Sequence, residues 1–150
     1  MSNDIVRFFI FVSLAVLLTY IISKFIRKIC HPNCDKIRPA VTMQCAVVSW
    51  YVIIVLRALV ISHFHLFAAV LINMTHILFI MAGLIWLIRK PSAEPIILLI
   101  AFQVAGIVMN YTALFNFVLG GESGMIVIAL SLRTIAIYYL VKAIRCIKTT

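Results

Sequence analysis

The stretch from Ala40 to Ile88, AVTMQCAVVSWYVIIVLRALVISHFHLFAAVLINMTHILFIMAGLIWLI, decides the fold. It holds no proline, and its first glycine is Gly83. Drawn out as one α-helix at about 1.5 Å per residue it would measure about 70 Å, more than twice the roughly 30 Å of a bilayer's hydrocarbon. The run therefore folds back on itself. The cluster Ser62-His63-Phe64-His65 near its middle marks the turn and leaves two spans, 40–61 and 66–88.

Windows of about 20 apolar residues, counted outward from this pair, add spans at 8–23, 96–119 and 125–141. Between them lie Lys24–Pro39 with Pro32, Arg89–Pro95 with Pro91, and Gly120-Gly121-Glu122-Ser123-Gly124. The expectation is an all-α polytopic transmembrane helical bundle of five spans, a single integral-membrane domain over residues 1–150. The alternative is four spans plus an interfacial N-terminal helix, which Arg7 just ahead of the first span favours. Composition agrees with a membrane protein: 65% of residues are hydrophobic, 11% are charged, and the mean hydropathy is +1.20. Soluble domains run near half apolar and a quarter charged.

Thirteen Lys and Arg against four Asp and Glu give a net charge of +9. In a soluble chain that would suggest nucleic acid, but no aromatic-studded basic motif is present and no nucleic-acid partner is expected. The basic residues instead gather between and beside the apolar segments, where they set orientation. Lys24, Arg27, Lys28, Lys36, Arg38, Arg89, Lys90, Lys142, Arg145 and Lys148 share one side, and Arg7 and Arg57 lie toward the other. By the positive-inside rule the ten mark the cytoplasm, which places the C-terminus inside and the N-terminus outside a cell (inner) membrane. Basic residues mostly follow the first span and no small-residue cleavage site is seen, so that span reads as a reverse signal-anchor. Tyr20, Trp86, Tyr138 and Tyr139 fall near the cytoplasmic interface, whereas Trp50 and Tyr51 lie about 15 Å into the second span and are expected inside the bundle.

Charges inside the hydrocarbon are the default place to look for function, because each costs several kcal/mol unless paired or hydrated. Arg57 lies near the outer surface and reads as a snorkelling interface anchor. Arg133 is different: it sits about 12 Å from either end of its span, and no Asp or Glu occurs within any span. Partners at matching depth are Gln103 and Asn110, seven residues apart with Gly106 between them, and Asn73 and His76, an i, i+3 pair. A polar layer across the third, fourth and fifth spans, centred on Arg133, is the expectation. It has two readings: interhelical glue worth roughly 0.6–2 kcal/mol per residue, or a hydrated path or ligand site that favours anions.

No cofactor is expected. Haem needs two histidines facing each other, and His63 and His65 fall in the turn while His76 stands alone at mid-depth. Cys30, His31 and Cys34, with Cys146, would make a Cys₃His zinc set. Reduced or lipid-modified thiols are the simpler reading of that loop, and no metal is expected. Cys45 reads as a small packing residue. The glycosylation matches Asn73-Met74-Thr75 and Asn110-Tyr111-Thr112 lie inside spans. The four acids, Asp4, Asp35, Glu94 and Glu122, all lie near or outside the span ends and form no pair for acid–base work, so an enzyme is not expected.

Three features of the first ninety residues carry a resemblance: the basic loop ending in Lys36-Ile37-Arg38-Pro39, the turn at Ser62–His65, and Asn73 early in the third span. Together they resemble small phage holins of the three-span type, which implies a protein that assembles in the membrane and opens it. The likeness ends after the third span, where Arg89-Lys90-Pro91 stands in place of the Gly-Asn such proteins often carry and two further spans follow. Three function classes follow: a holin-like pore or lesion former, an immunity or accessory subunit that binds another membrane protein, and a small anion-favouring channel or transporter. Expected partners are the lipid bilayer and either further copies of the chain or another membrane protein. The orientation is tested on Cys30 and Cys34: a membrane-impermeant thiol reagent should leave them unlabelled in intact cells and label them once the membrane is permeabilised. Labelling in intact cells contradicts the assigned orientation.

Overall fold

The computed structural model describes residues 2–29, 37–61, 67–117 and 123–148, all but a few of them in five α-helices. These are α1 (Ser2–Ile29), α2 (Arg38–Ile61), α3 (Phe67–Arg89), α4 (Ala93–Phe117) and α5 (Ser123–Lys148). The expected turn at Ser62–His65, the Cys30-His31-Cys34 cluster, Lys36, and Gly120, Gly121 and Glu122 lie outside the described residues, as do the side chains of Arg7, Arg27 and Lys148. All five helices are long and apolar enough to cross a membrane, and the chain is a multi-pass membrane protein.

Helix ends differ from the expected spans where polar residues continue a helix that the apolar window had closed. Residues 8–23 are the middle of α1, which runs from Ser2 through Lys24 and Lys28 to Ile29. Pro95 does not precede α4 but is its third residue, because a proline in the first turn gives up an N–H that has no partner within the helix anyway. α5 runs seven residues beyond Val141, carrying Lys142, Arg145 and Lys148. Cations suit a helix C-terminus, where the backbone carbonyls leave partial negative charge.

The helices pack as a ring of four with one helix outside it. α2 packs against α3 and α5, α4 packs against the same two, and α1 lies against the outside of α2. In consequence 61% of the apolar window of α2 is buried, against 11% for α1. The main core fills the ring with residues such as Cys45, Val48, Leu84, Leu99, Ala136 and Leu140. Gly83 lets α3 and α4 approach closely: a Cβ there would sit 2.8 Å from Leu99 Cδ2. A second cluster places Trp50 and Ile53 between Ala15 of α1 and Ala129 of α5, so the small residues on either side make room for the indole. Trp50 and Tyr51, at 2% and 3% exposure, are inside the bundle as their depth suggests.

The outer surface is apolar, with Phe9, Phe25, Leu78, Ile97 and Val108 exposed. Three hydroxyl groups on that surface are satisfied without water. Thr75 Oγ1, Ser131 Oγ and Thr134 Oγ1 each donate to the carbonyl four residues earlier, at 2.9 Å. Such back-bonding is what a helix facing hydrocarbon requires of its few polar side chains. Tyr20, Trp86 and Tyr138 are exposed, and Tyr139 is half-buried with its ring edge against Tyr138 at 5.4 Å.

Candidate functional site

Two carboxamide and hydroxyl pairs cross the centre of the ring. Gln103 Nε2 donates to Gln44 Oε1 at 2.6 Å, and Asn110 Nδ2 donates to the Tyr51 hydroxyl at 2.8 Å. Both pairs join α4 to α2 with the same sequence separation of 59. A constant difference means that the two helices run parallel and in register; antiparallel helices would hold the sum constant instead. Within the ring both helices pack chiefly against α3 and α5, so these side chains reach across it from opposite corners. Gln44 and Tyr51 are seven residues apart, as are Gln103 and Asn110, and seven residues is about two helical turns. The pairs are thus two rungs about 10 Å apart along the axis.

Arg133, near the middle of α5, places its guanidinium between the rungs. Its Nε donates to the Tyr51 hydroxyl at 2.9 Å and its Nη1 donates to Gln103 Oε1 at 2.9 Å and to the Phe102 carbonyl at 3.4 Å. Its Cζ lies 4.7 Å from the centre of the Tyr51 ring. The residue is 1% exposed. Each of these hydrogen-bond partners is neutral, and the nearest acid along α4, Glu94, is an exposed residue of the first helical turn. Arginine keeps its proton in any protein environment, so the centre of the ring carries a full positive charge with no carboxylate bonded to it among the described residues.

Gly106 makes this position possible. A Cβ on Gly106 would collide with Nη1, Cζ and Nη2 of Arg133, so the guanidinium occupies the volume that any other residue's side chain would fill. Gln103, Gly106 and Asn110 recur at i, i+3 and i+7, which turns all three toward the ring axis.

The arrangement also fixes which way each amide faces. Arginine can only donate, so Gln103 must turn Oε1 toward it, and Gln103 Nε2 must then face Gln44. Gln44 in turn presents Oε1, and its own Nε2 is buried without a partner among the described residues. Tyr51 accepts from both Arg133 and Asn110, which uses both lone pairs and leaves its proton to donate. The hydrogen bonds of Arg133 are made by Nε and Nη1, so Nη2 carries further donors. The centre is rich in donors and short of acceptors.

Of the expected layer, Arg133, Gln103 and Asn110 lie together in this network. His76 of α3 is half-buried and stacks its ring on Tyr51 at 6.1 Å and 11°, while its Nδ1 lies 3.2 Å from the Ile72 carbonyl oxygen. Asn73, one turn earlier, is half-buried and makes none of the bonds to Arg133. The hydrogen bonds to Arg133 and between the rungs join α2, α4 and α5, and α3 meets them through the His76 ring; the expectation had named the third, fourth and fifth spans. Gln44 was missed, and Tyr51 was placed inside the bundle without this role. The shared seven-residue spacing of Gln44–Tyr51 and Gln103–Asn110 was the signal that pointed to both.

Arg57 is half-buried, and its Nη1 donates toward Met125 Sδ at the start of α5. Cys45 is fully buried in the main core and Cys146 is half-buried on α5, neither in a disulfide among the described residues; the other three members of the zinc set lie outside the described residues. Comparison with protein-family models, with curated proteins and with solved structures yields no match to this chain.

The fit of Gly106 to Arg133 is testable by a double-mutant cycle read from unfolding in detergent micelles. Gly106→Ala should destabilise the protein by about 1–3 kcal/mol through overpacking. In an Arg133→Leu background the same change should be neutral or stabilising, because the collision is gone and alanine is the better helix former by up to about 1 kcal/mol. Equal effects in both backgrounds would show that the two residues do not share this space.

Proposed function

We propose that this chain is a non-catalytic small channel or transporter of a cell (inner) membrane that favours anions, with its N-terminus outside and its C-terminus in the cytoplasm. The observation that carries the reading is the burial of Arg133 among neutral hydrogen-bonding groups at the centre of a four-helix ring. If the network served only to hold helices together, a neutral side chain would do so without the several kcal/mol that an unpaired buried charge costs. A fixed cation in a low-dielectric ring repels other cations and gives an anion the counter-charge it needs. The remaining donors on Tyr51, Gln44 and Arg133 suit the same class of guest, since an anion only accepts hydrogen bonds.

A second reading draws on α1. That helix lies outside the ring, and the face it turns away from α2 carries Val6, Phe9, Leu14, Leu17 and Tyr20, all exposed. Self-assembly of the holin sort, or binding to the helices of another membrane protein, would use such a face, and lysis of expressing cells would favour the former.

The anion reading is tested by flux in liposomes containing the purified chain. Wild type should pass chloride in preference to sodium or potassium, and Arg133→Leu should insert normally yet pass chloride more slowly by about tenfold or more, the factor equivalent to about 1.4 kcal/mol. Undiminished chloride flux through Arg133→Leu, or flux of cations at the rate of chloride, would overturn it.

A further inference from the structure

The hydrogen-bond chain that starts at Arg133 ends at an amide that no described residue satisfies. Gln44 is 0% exposed, its Oε1 is taken by Gln103, and its Nε2 has no partner among the described residues. An unsatisfied donor buried this deeply is unfavourable by about 1–3 kcal/mol and is rare unless something else fills it. Rotating the amide does not help. With the groups exchanged, Gln44 would turn a donor toward the donor on Gln103, whose orientation Arg133 dictates.

Gln44 lies one carboxamide away from Arg133, toward the N-terminal ends of α2 and α4. We infer that Gln44 Nε2 is a second anion station beside Arg133, and that the pair serves small monovalent inorganic anions such as halide or nitrate while rejecting divalent oxyanions. The inference rests on the anion reading above and names its substrate class. Charge sets the valence: among Gln44, Tyr51, Gln103, Asn110 and Arg133, the side chains bonded to one another here, only the guanidinium is charged, so one monovalent ion brings this group to neutrality. A divalent ion would leave a net negative charge there, at the cost of burying it. An amide at the second station adds a donor without adding a charge, so an ion is held there less tightly than at a second cation and can move on.

The test is the melting temperature of the purified full-length chain in detergent micelles, in chloride, nitrate, sulfate or gluconate salts of sodium at equal ionic strength. A ligand that binds only the folded state raises the melting temperature in a saturable way. Chloride and nitrate should do so for wild type, whereas sulfate should match gluconate. Gln44→Leu should lose the response or need about tenfold more anion, equivalent to about 1.4 kcal/mol. Gln44→Glu should lose it as well. That variant keeps the shape of the side chain and the acceptor for Gln103, so it carries the test if the leucine variant does not fold. Stabilisation by sulfate equal to that by chloride, no anion response in wild type, or an unchanged response in either Gln44 variant would overturn the inference. If the response persists in Gln44 variants but vanishes in Arg133→Leu, the second station fails while the anion reading stands. If chloride stabilises Arg133→Leu as it does wild type, both fail.

Discussion

A guanidinium held by neutral groups at the centre of four helices sets the terms for the rest of the molecule. Arg133 cannot shed its charge, and at mid-length of α5 its side chain is too far from either end to reach water along the helix. Its favourable contacts come from the Tyr51 hydroxyl and ring face, the Gln103 carboxamide and the Phe102 carbonyl. Those groups belong to α2 and α4, so the charge ties three helices to one another. The parallel register of α2 and α4, read from the equal separation of the two rungs, follows from the need to bring both acceptors to one side chain on α5. Gly106 completes the arrangement by leaving the required volume on α4.

The outside of the molecule follows the opposite rule. Between the helix ends the side chains facing away from the ring are mostly apolar, and the Thr75, Ser131 and Thr134 hydroxyls among them bond to their own helix. Polarity is thus moved from the surface to the axis, the inverse of a soluble four-helix bundle. The outer helix α1 takes no part in the polar centre: it packs on α2 through Ala15 against the Trp50 and Ile53 cluster and leaves most of its surface outward. The centre and the outer helix therefore differ in kind: a buried charge in one case and exposed apolar surface in the other.

Much of this was legible in the chain. Length and hydropathy give the five helices, because a hydrocarbon slab of fixed thickness leaves few ways to place runs such as Ala40–Ile88. Depth matching finds Arg133, Gln103 and Asn110, because an isolated charge and the groups that solvate it must share a level. The pairing of α4 with α2 across the ring was not legible. Helix order along the chain suggests contact between neighbours, and α3, which lies between these two in sequence, was taken to supply the polar partners. Its Asn73 and His76 have the expected i, i+3 spacing, but spacing alone does not say which way that face turns. Gln44 was overlooked because a single glutamine in a mostly apolar helix resembles ordinary interhelical glue, although it stands seven residues before Tyr51, the spacing of Gln103 and Asn110. Helix ends were misjudged wherever a basic or proline-containing turn extends a span, as at Pro95 and beyond Val141.

The most direct test of the account is where the Arg133 guanidinium resides in a lipid bilayer. Solid-state magnetic resonance on isotope-labelled protein reports contacts from its Cζ and nitrogen atoms. The account predicts contacts to the Tyr51 ring and the Gln103 carboxamide carbon, and none to the phosphorus of lipid headgroups. A contact to lipid phosphate with none to Tyr51 would contradict it, because the charge would then lie outside the ring.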